Sequence, residues 1–384
     1  MSVGESPKPA TGRTLGGLSV GTMPVRLKDI AKQLGISTVA VCKALKGHSD
    51  ISEATRKRVL QCVKELNYHP NLLARGLIVG RSKTIGLVIP EMMHSFFAEI
   101  AGGVAREVQA KGYTLLLANS DEDPLVERNQ VEMLLARKVD GLILASAQPS
   151  DDLSLFQDLQ RHNVPFVLLD RRFPKLQANF VGVDNVALGK MATEHLLKSG
   201  CRRVGHISRL GVATGPGRLA GYRRALAAAG IPADERWVVD TDGTDDSGYQ
   251  AMCTLLRVRP RLQGVFCFND PVAAGAIKAV LDAGLRVPGD IAIVGSGNVH
   301  YSDLLRVPLT TVDQGPADMG ARAARIVLQE IESGEHAHAG TVFIPLKLIE
   351  RESSRRPMVR RAESASRGSQ TGTRNRRVPA VVDA

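Results

Sequence analysis

The amino-acid sequence predicts a mixed α/β protein in which a small N-terminal unit of three helices precedes two Rossmann-like lobes. Two patterns carry this prediction. Near the N-terminus, apolar residues recur at i, i+3, i+4 and i+7, the spacing of one face of an α-helix. From residue 84 onward, short continuous apolar runs alternate with amphipathic stretches, the order expected of parallel strands covered by helices.

The first two helices of the N-terminal unit are predicted to be joined by a glycine turn. The apolar stripe of the first helix consists of Leu27, Ile30, Ala31 and Leu34. Gly35 supplies the backbone freedom that ends this helix, and Ser37 can cap the next one. In the second helix, Val41, Ala44 and Leu45 face back toward the first. This spacing is typical of a helix–turn–helix unit.

A third helix is predicted to begin after Ser52 and to stop at Asn67, a residue that tolerates the left-handed conformation. Its buried positions are Val59, Cys62, Val63 and Leu66. Thr38, Val39 and Lys43 then point outward from the second helix, as the residues of a DNA-recognition helix do. Small three-helix units with a glycine turn also serve as protein-interaction modules, so the pattern alone leaves both interpretations open.

Seven apolar runs are candidates for buried parallel strands. They are residues 85–89, 113–118, 141–145, 166–169, 204–207, 265–268 and 291–294. Because seven such units exceed one compact sheet, we expect them to be divided between two Rossmann-like lobes. The chain is expected to cross between the lobes at residues 182–185 and again at 311–314.

The positive charge is concentrated at the two ends of the chain. The formal net charge is +11; residues 24–83 contain twelve Lys or Arg against four Asp or Glu, and residues 351–384 contain nine against three. A basic head on a mildly acidic body suits a nucleic-acid-binding protein with a separate second domain. Residues 1–22 and 351–384 are rich in small and polar residues without periodicity, so both segments are predicted to be disordered.

The cysteines and the apolar runs indicate a cytoplasmic protein without a membrane partner. The five cysteines are scattered and lack paired metal-ligand spacing, as is typical of reduced thiols. No apolar run approaches the roughly 18 residues that a membrane span needs. Residues 15–20 are too short and too glycine-rich for the apolar core of a secretory signal. We therefore expect no metal site and no export.

The sequence fits two other classes of protein less well. For an enzyme, the nearest dinucleotide fingerprint is residues 215–221, but its last glycine lies one residue too far along, and Pro216 would stiffen a phosphate loop. The sequence contains no Ser/His/Asp set, metal cluster or P-loop, so we predict neither catalytic residues nor a cofactor. A periplasmic solute-binding protein would have a signal peptide and no DNA-binding head, the opposite of what this chain contains.

From about residue 25 to residue 356 the sequence resembles the lac repressor (LacI/GalR) family of bacterial transcriptional regulators. The matching residues are Leu27 to Ala31, Gly35 to Ser37, Val41, Leu66 to Tyr68, Pro70, Asn71, Ala74, Arg75, Leu77 and Ile85 to Leu87. The resemblance implies a helix–turn–helix DNA-binding domain at 23–70 and a hinge helix and linker at 71–83. It further implies a ligand-binding and dimerisation domain at 84–350, with two lobes of the periplasmic-binding-protein type and a third crossing near 339–342.

The resemblance also implies a homodimer that binds a near-palindromic double-stranded operator. In that complex Thr38, Val39 and Lys43 take the base-reading positions, where Lys43 replaces the more usual arginine and discriminates less sharply. The hydroxyls of Ser37 and Thr38 remain as phosphate donors, together with Asn71.

In the implied hinge helix, Leu77 is the apolar wedge that enters the minor groove at the centre of the operator, with Ala74 packing beside it. DNA affinity would be controlled by a small effector between the lobes. A sugar or sugar derivative is the expected effector, and a nucleobase is the alternative.

Polar side chains that follow the predicted strands are the candidates for the effector site, because open α/β sheets bind ligands beyond the carboxyl ends of their strands. The candidates are Ser95, Phe96, Asp170, Arg218, Asn269 and Gln314. The resemblance supports the last four of these as effector contacts. An ion pair between Arg218 and Asp170 across the lobes is the structural alternative for the arginine.

The segment 295–298 departs from the family, which usually has an acidic residue where this chain has Gly297. A charged hydrogen bond is worth roughly 1.5–3 kcal/mol, so its loss should weaken binding of a neutral hexose. We therefore expect a bulkier or more anionic ligand, with Arg218 meeting a carboxylate or phosphate. Asn298 and Asp270 are the nearest groups that could substitute for the missing acid, and in the alternative Gly297 only shapes the loop while Asn298 takes over.

Overall fold

The computed structural model describes residues 25–68, 81–334 and 339–355. The chain forms two compact units, Met1–Ser82 and Lys83–Ala384. The predicted extension at 1–22, the hinge residues Asn71, Ala74 and Leu77, and residues 356–384 of the basic tail lie outside the described residues.

The N-terminal unit consists of the three expected helices, α1 (Leu27–Leu34), α2 (Thr38–Lys46) and α3 (Glu53–Glu65). Gly35 ends α1 in the left-handed conformation with a φ of 66°, and the side chains of Ser37 and Ser52 accept backbone hydrogen bonds at the starts of α2 and α3. Asn67 follows α3 with a φ of 47°. The buried core contains Ile30, Ala31, Val41, Ala44, Val59, Cys62 and Tyr68. The predicted turn, caps and helix stop are therefore confirmed.

Two sheets of six strands each lie in the described part of the second unit. The first sheet contains β1 (Thr84–Ile89), β2 (Thr114–Asn119), β3 (Gly141–Leu144), β4 (Phe166–Leu169), β5 (Asn179–Gly182) and β11 (Thr341–Phe343). Its strand order is β11-β5-β4-β3-β1-β2, and all neighbouring strands are parallel.

The second sheet contains β6 (Val204–Ser208), β7 (Val238–Asp240), β8 (Gly264–Cys267), β9 (Ala292–Gly297), β10 (Thr310–Asp313) and β12 (Lys347–Ile349). Its order is β12-β10-β9-β8-β6-β7, and only the pair β10 and β12 is antiparallel. Each sheet with its helices forms one Rossmann-like lobe, as the alternation of apolar runs and amphipathic stretches predicted.

Helices cover the sheets of both lobes. The first lobe contains α4 (Ser95–Ala110), α5 (Pro124–Ala136), α6 (Ser154–Arg161) and α11 (Pro316–Ser333), and the second contains α7 (Asn185–Lys198), α8 (Gly215–Ala228), α9 (Asp245–Arg257) and α10 (Asp270–Asp282). The pair α7 and α8 approaches closely because glycines face the partner backbone. A Cβ atom added at Gly221 would lie 2.2 Å from the Val186 carbonyl oxygen, so any larger residue must push the helices apart.

The chain crosses between the lobes three times. It leaves the first sheet after β5 and returns after β10, at the two positions that the sequence indicated. The third crossing lies between β11 and β12, at residues 344–346, slightly later than the expected 339–342.

All seven predicted strands are present, and each begins within one residue of its expected start. The strands β5, β7, β10, β11 and β12 were not predicted; each has only three or four residues.

The prediction that the disordered tail begins at residue 351 is wrong for its first residues. Glu352–Ser354 forms a 3-10 turn, and Ser353 is fully buried against the second sheet. The Ser353 hydroxyl donates to the Ile293 carbonyl oxygen at 2.6 Å and accepts from the Thr310 amide at 2.8 Å. The Arg- and Ser-rich composition concealed this contact, because a buried serine is recognised only by its hydrogen-bond partners.

Candidate functional site

The outward face of α2 is the candidate DNA-reading surface. Thr38 and Val39 lie in its first turn and are exposed, Val39 to 62%. Ser37 caps the helix by accepting the Ala40 amide at 3.1 Å, which leaves its hydroxyl proton free to be donated. The helix N-terminus also carries partial positive charge that attracts phosphate. This end of α2 thus offers side chains to base edges and donors to phosphates.

Lys43 lies one turn after Val39 on the same face of α2. Its ammonium group is bound to the carboxylate of Asp50, which lies in the loop between α2 and α3, and both side chains are about half exposed. The hydrogen bond from Lys43 lowers the pKa of Asp50 below its ordinary value, so Asp50 is anionic at neutral pH. Cys42, beside this pair, is half-buried.

A cavity of about 370 Å³ lies between the two lobes of the second unit. Its walls are loops at the carboxyl ends of strands in both sheets, the usual place for a ligand in open α/β sheets. Its polar and aromatic lining includes Glu91, His94, Phe96, Phe97, Asp121, Glu122, Asp170, Arg171, Arg209, Arg218, Asp242, Phe268, Asn269, Ser296 and Gln314.

Five of the six predicted effector residues line this cavity, namely Phe96, Asp170, Arg218, Asn269 and Gln314. Ser95 does not line it. That residue is the first of α4, and its buried hydroxyl makes no hydrogen bond within the described parts of the chain.

Arg218 is held in place by acceptors from several segments of the chain. Its Nε donates to Asn185 Oδ1 at 2.9 Å, and its Nη1 donates to the Phe268 carbonyl oxygen at 2.5 Å and to Ser296 Oγ at 3.0 Å. Its Nη2 donates to Gln314 Oε1 at 3.2 Å. None of these acceptors is Asp170, so the guanidinium is anchored by neutral groups and not by the direct ion pair considered as its structural alternative.

Arg218 is only 3% exposed, and its guanidinium carbon lies 4.3 Å from the centre of the Phe268 ring. Burial lowers the pKa of Arg218 to about 10, against the opposing attraction of Asp170 and Asp270. The side chain therefore remains a cation at neutral pH and contributes positive potential to the cavity wall.

Asp170 combines three unusual features at the cavity. Its backbone is left-handed, with a φ of 62°. Its Oδ1 atom is buried without a hydrogen-bond partner in the described residues. Burial raises the pKa of the carboxyl group above its ordinary value, although Arg218 and Arg171 oppose this shift. A strained and unsatisfied acid in a cavity wall is a candidate ligand-binding group.

The other two predicted polar residues are also engaged within the fold. Asn269 Oδ1 caps α10 by accepting the Val272 amide at 2.9 Å, and its Nδ2 donates to the Gly243 carbonyl oxygen at 2.9 Å. Gln314 accepts from Arg218 through its Oε1 atom. Both side chains line the cavity with their orientation already set by protein contacts.

The two residues considered as substitutes for the acid missing at Gly297 have structural partners. Asp270 is fully buried and accepts from the Val299 amide and from the hydroxyls of Ser302 and Thr311. Asn298 accepts from Arg351 Nη2 at 2.8 Å. Neither is among the described residues that line the cavity, so the expectation that one of them supplies the polar anchor is not supported.

The sequence did not single out a bridge between the lobes that also lines the cavity. Glu122 of the first lobe accepts from Arg171 at 2.6 and 2.7 Å and from Arg209 of the second lobe at 2.9 Å. Although burial opposes it, these two arginines lower the pKa of Glu122 below its ordinary value. Glu122 and Arg209 follow β2 and β6, so the rule that selected the other candidates would have found them.

Two kinds of site are not found in the described residues. No group of three His, Cys, Asp or Glu side chains there could hold a metal ion. Among the same residues, no helix is long and apolar enough to cross a membrane.

Comparison with known proteins agrees with the fold and with the predicted family. Residues 26–71 match the family model described as bacterial regulatory proteins, lacI family, and residues 193–354 match a periplasmic binding protein-like domain. An HTH-type transcriptional repressor PurR from Mannheimia succiniciproducens is 33% identical over 330 residues, which cover 85% of this chain and 98% of the relative. A PurR repressor from Proteus mirabilis is 36% identical over 332 residues, covering 85% and 96%.

Two solved structures extend the comparison. A transcriptional regulator CelR–cellobiose complex is 32% identical, covers 86% of this chain and 99% of its own, and has a TM-score of 0.65. The lac repressor dimer bound to operator and the anti-inducer ONPF is 26% identical with the same coverage and a TM-score of 0.78. The chain therefore belongs to the lacI family of bacterial regulatory proteins and is a DNA-binding transcriptional repressor, not an enzyme.

Proposed function

We propose that this repressor binds a near-palindromic operator as a homodimer and that a small effector, held between the lobes of the second unit, controls its affinity for DNA. Thr38, Val39 and Lys43 read base edges, and Ser37 with Asn71 contacts phosphates. We also propose that the protein acts in the cytoplasm, as is usual for a bacterial DNA-binding repressor.

The proposed hinge contact completes the DNA complex. Leu77 enters the minor groove at the operator centre, and Ala74 packs beside it. The exposed first turn of α2 supports the base-reading role, because two side chains there are free to meet DNA.

The buried carboxylate of Asp170 is the observation that carries the effector site. Its Oδ1 atom is buried and has no hydrogen-bond partner among the residues that the structure describes, which is costly, and a ligand hydroxyl or amine in the adjoining cavity would supply the missing donor. The aromatic rings of Phe96 and Phe268 in the same wall offer apolar faces. Sugars present such C–H faces together with hydroxyl donors, so we propose a neutral sugar or sugar derivative as the effector.

The charge balance of the cavity weighs against the anionic ligand that Gly297 suggested. The described residues that line the cavity include five carboxyl groups, on Glu91, Asp121, Glu122, Asp170 and Asp242, against three arginines, Arg171, Arg209 and Arg218. A carboxylate added to the cavity would therefore increase an excess of acidic groups that is already present in its wall. The CelR regulator forms a complex with cellobiose, which agrees with a sugar. A nucleobase, with ring donors for Asp170 and a face for Phe96, is the second candidate.

Thermal-shift screening of neutral sugars, sugar acids and nucleobases tests the effector site. At a hundredfold excess over Kd, a true effector stabilises the folded protein by about 2.7 kcal/mol and raises Tm by roughly 5–10 °C. The Asp170→Asn variant should lose this shift and the response of operator binding to the same compound. Asp246→Asn, an exposed acid on α9 outside the cavity, should keep both. Undiminished stabilisation of Asp170→Asn would contradict the assignment.

A further inference from the structure

The ion pair between Lys43 and Asp50 lies on the face of α2 that is proposed to meet DNA. We infer that Asp50 is a positioning residue for base readout: it holds the Lys43 ammonium at one place on this face, so that the lysine meets a base edge and not the nearest phosphate. The inference rests on the proposed DNA-reading role of Lys43. It assigns Asp50, an acid on a DNA-binding surface, a part in sequence discrimination.

The loop that carries Asp50 is fixed at both ends. Gly47 ends α2 in the left-handed conformation, and the His48 amide donates to the Lys43 carbonyl oxygen at 3.1 Å. Arg56 on α3 donates to the His48 carbonyl oxygen at 3.3 Å, and Ser52 caps α3 directly after the loop. The Asp50 carboxylate therefore starts from a defined backbone position relative to the recognition helix.

A lysine needs such a partner more than an arginine would. Its ammonium is a compact charge on a flexible four-carbon stem, so by itself it contacts whichever phosphate is near and adds non-specific affinity. The ammonium has three donors, and one bond to Asp50 leaves two for acceptors such as O6 and N7 of guanine. The negative charge of Asp50 also repels phosphates, which penalises binding modes in which Lys43 moves to the backbone.

Lys46 provides a contrast on the same helix. It lies three residues after Lys43, is exposed, and makes no ion pair within the described residues. A free lysine of this kind suits a phosphate contact, which positions the protein without reading sequence. Of these two lysines, Lys43 is therefore held by an acid, whereas Lys46 is free to move.

The test begins with operators that the full-length wild-type protein selects from a random duplex pool. Binding to the selected operator, to each single-base variant and to a shuffled duplex is then measured by anisotropy. Lys43→Met identifies the base positions that depend on the lysine. Asp50→Asn removes the anchor, Asp50→Glu restores the charge on a longer arm, and Glu53→Gln is the matched control. Glu53 is an exposed acid in the same unit that pairs with Lys57 and does not contact Lys43.

Asp50→Asn should bind the shuffled duplex about three- to tenfold more tightly than the wild-type protein does. At the base positions that Lys43→Met identifies, its preference for the selected base over the other bases should fall about fivefold. Asp50→Glu should recover part of that preference, and Asp50→Asn should change no base preference in the Lys43→Met background. Glu53→Gln should raise non-specific affinity alone. Equal base preferences in Asp50→Asn and Glu53→Gln would overturn the inference, whereas failure of the wild-type protein to select any operator would overturn the proposed function itself. Thermal melts of each variant verify that the unit is folded.

Discussion

Replacing Arg218 by alanine tests whether the guanidinium is a structural anchor of the cavity wall. The variant removes the donor from Asn185 Oδ1, which is half-buried, and from Gln314 Oε1, which is buried. Each unsatisfied buried acceptor costs about 1–3 kcal/mol. The buried Phe268 carbonyl oxygen and Ser296 hydroxyl also lose a partner, which brings the total to roughly 3–5 kcal/mol. We therefore expect the free energy of unfolding to fall by about 3–5 kcal/mol and Tm to fall by roughly 10 °C.

Urea denaturation followed by circular dichroism measures this loss. Arg172→Ala is the matched control, because Arg172 lies in the loop after β4, is exposed, and makes no hydrogen bond to the described residues. Its unfolding free energy should stay within about 0.5 kcal/mol of the wild-type value. If Arg218→Ala lowers the unfolding free energy by less than about 1 kcal/mol, the four hydrogen bonds do not anchor the cavity wall, and the guanidinium serves ligand binding instead.

Three further predictions concern the buried histidine, the helix pair and the hinge. Burial lowers the pKa of His206 to about 4 from an ordinary 6.5, so its contribution to stability is complete above pH 6.5 and is lost as the pH falls toward 4. The unfolding free energy should be about 2 kcal/mol lower at pH 5 than at pH 7. His206→Gln should reduce this dependence of stability on pH, whereas the control His162→Gln, at an exposed histidine, should leave it unchanged. Gly221→Ala should lower Tm by several degrees because its Cβ would overlap the α7 backbone, whereas Gly102→Ala, whose Cβ meets only a side chain at 3.8 Å, should not. Leu77→Ala should weaken operator binding more than tenfold, or by at least ~1.4 kcal/mol, in an anisotropy titration; unchanged affinity would remove the wedge from the proposed complex.

The fold was predictable where burial on both faces leaves a trace in the sequence. The runs that became β1, β3, β4 and β8 are apolar at successive positions, because parallel strands covered by helices expose neither face. The strand β10 was not predicted because its sequence, TTVD, contains three polar residues and only one apolar residue. Its threonines are fully buried, and Thr310 and Thr311 bond to Arg351 and Asp270 from distant parts of the chain. Such a strand is stabilised by tertiary partners that no local pattern reveals.

The site was predictable to the extent that it follows from strand ends. Asp170 and Asn269 come directly after β4 and shortly after β8, and both line the cavity. Which side chains pair across the lobes was not predictable, because that depends on the relative orientation of two sheets that are distant in sequence. The bridge from Glu122 to Arg209 and the fixed position of Arg218 are of this kind. These contacts support the proposal of a neutral ligand over an anion, since the guanidinium groups of Arg209 and Arg218 already have acceptors within the protein.

Asp170→Asn should stabilise the protein at neutral pH while it removes the response to effector. Asparagine has a similar shape and tolerates the left-handed backbone, but it carries no charge to be buried. Because burial raises the pKa of Asp170, the unfolded chain loses this proton at a lower pH than the folded protein does, so a rise in pH above 3.8 favours the unfolded chain. The gain in unfolding free energy should therefore be present at pH 7 and shrink as the pH falls toward 3.8.

Urea denaturation at a series of pH values measures that gain, with Asp246→Asn as an exposed control. A lower stability of Asp170→Asn at pH 7 would mean that the carboxylate serves the fold by compensating Arg218. A higher stability together with a lost effector response would mean that the acid is retained for binding, at a cost to stability that only a bound ligand offsets.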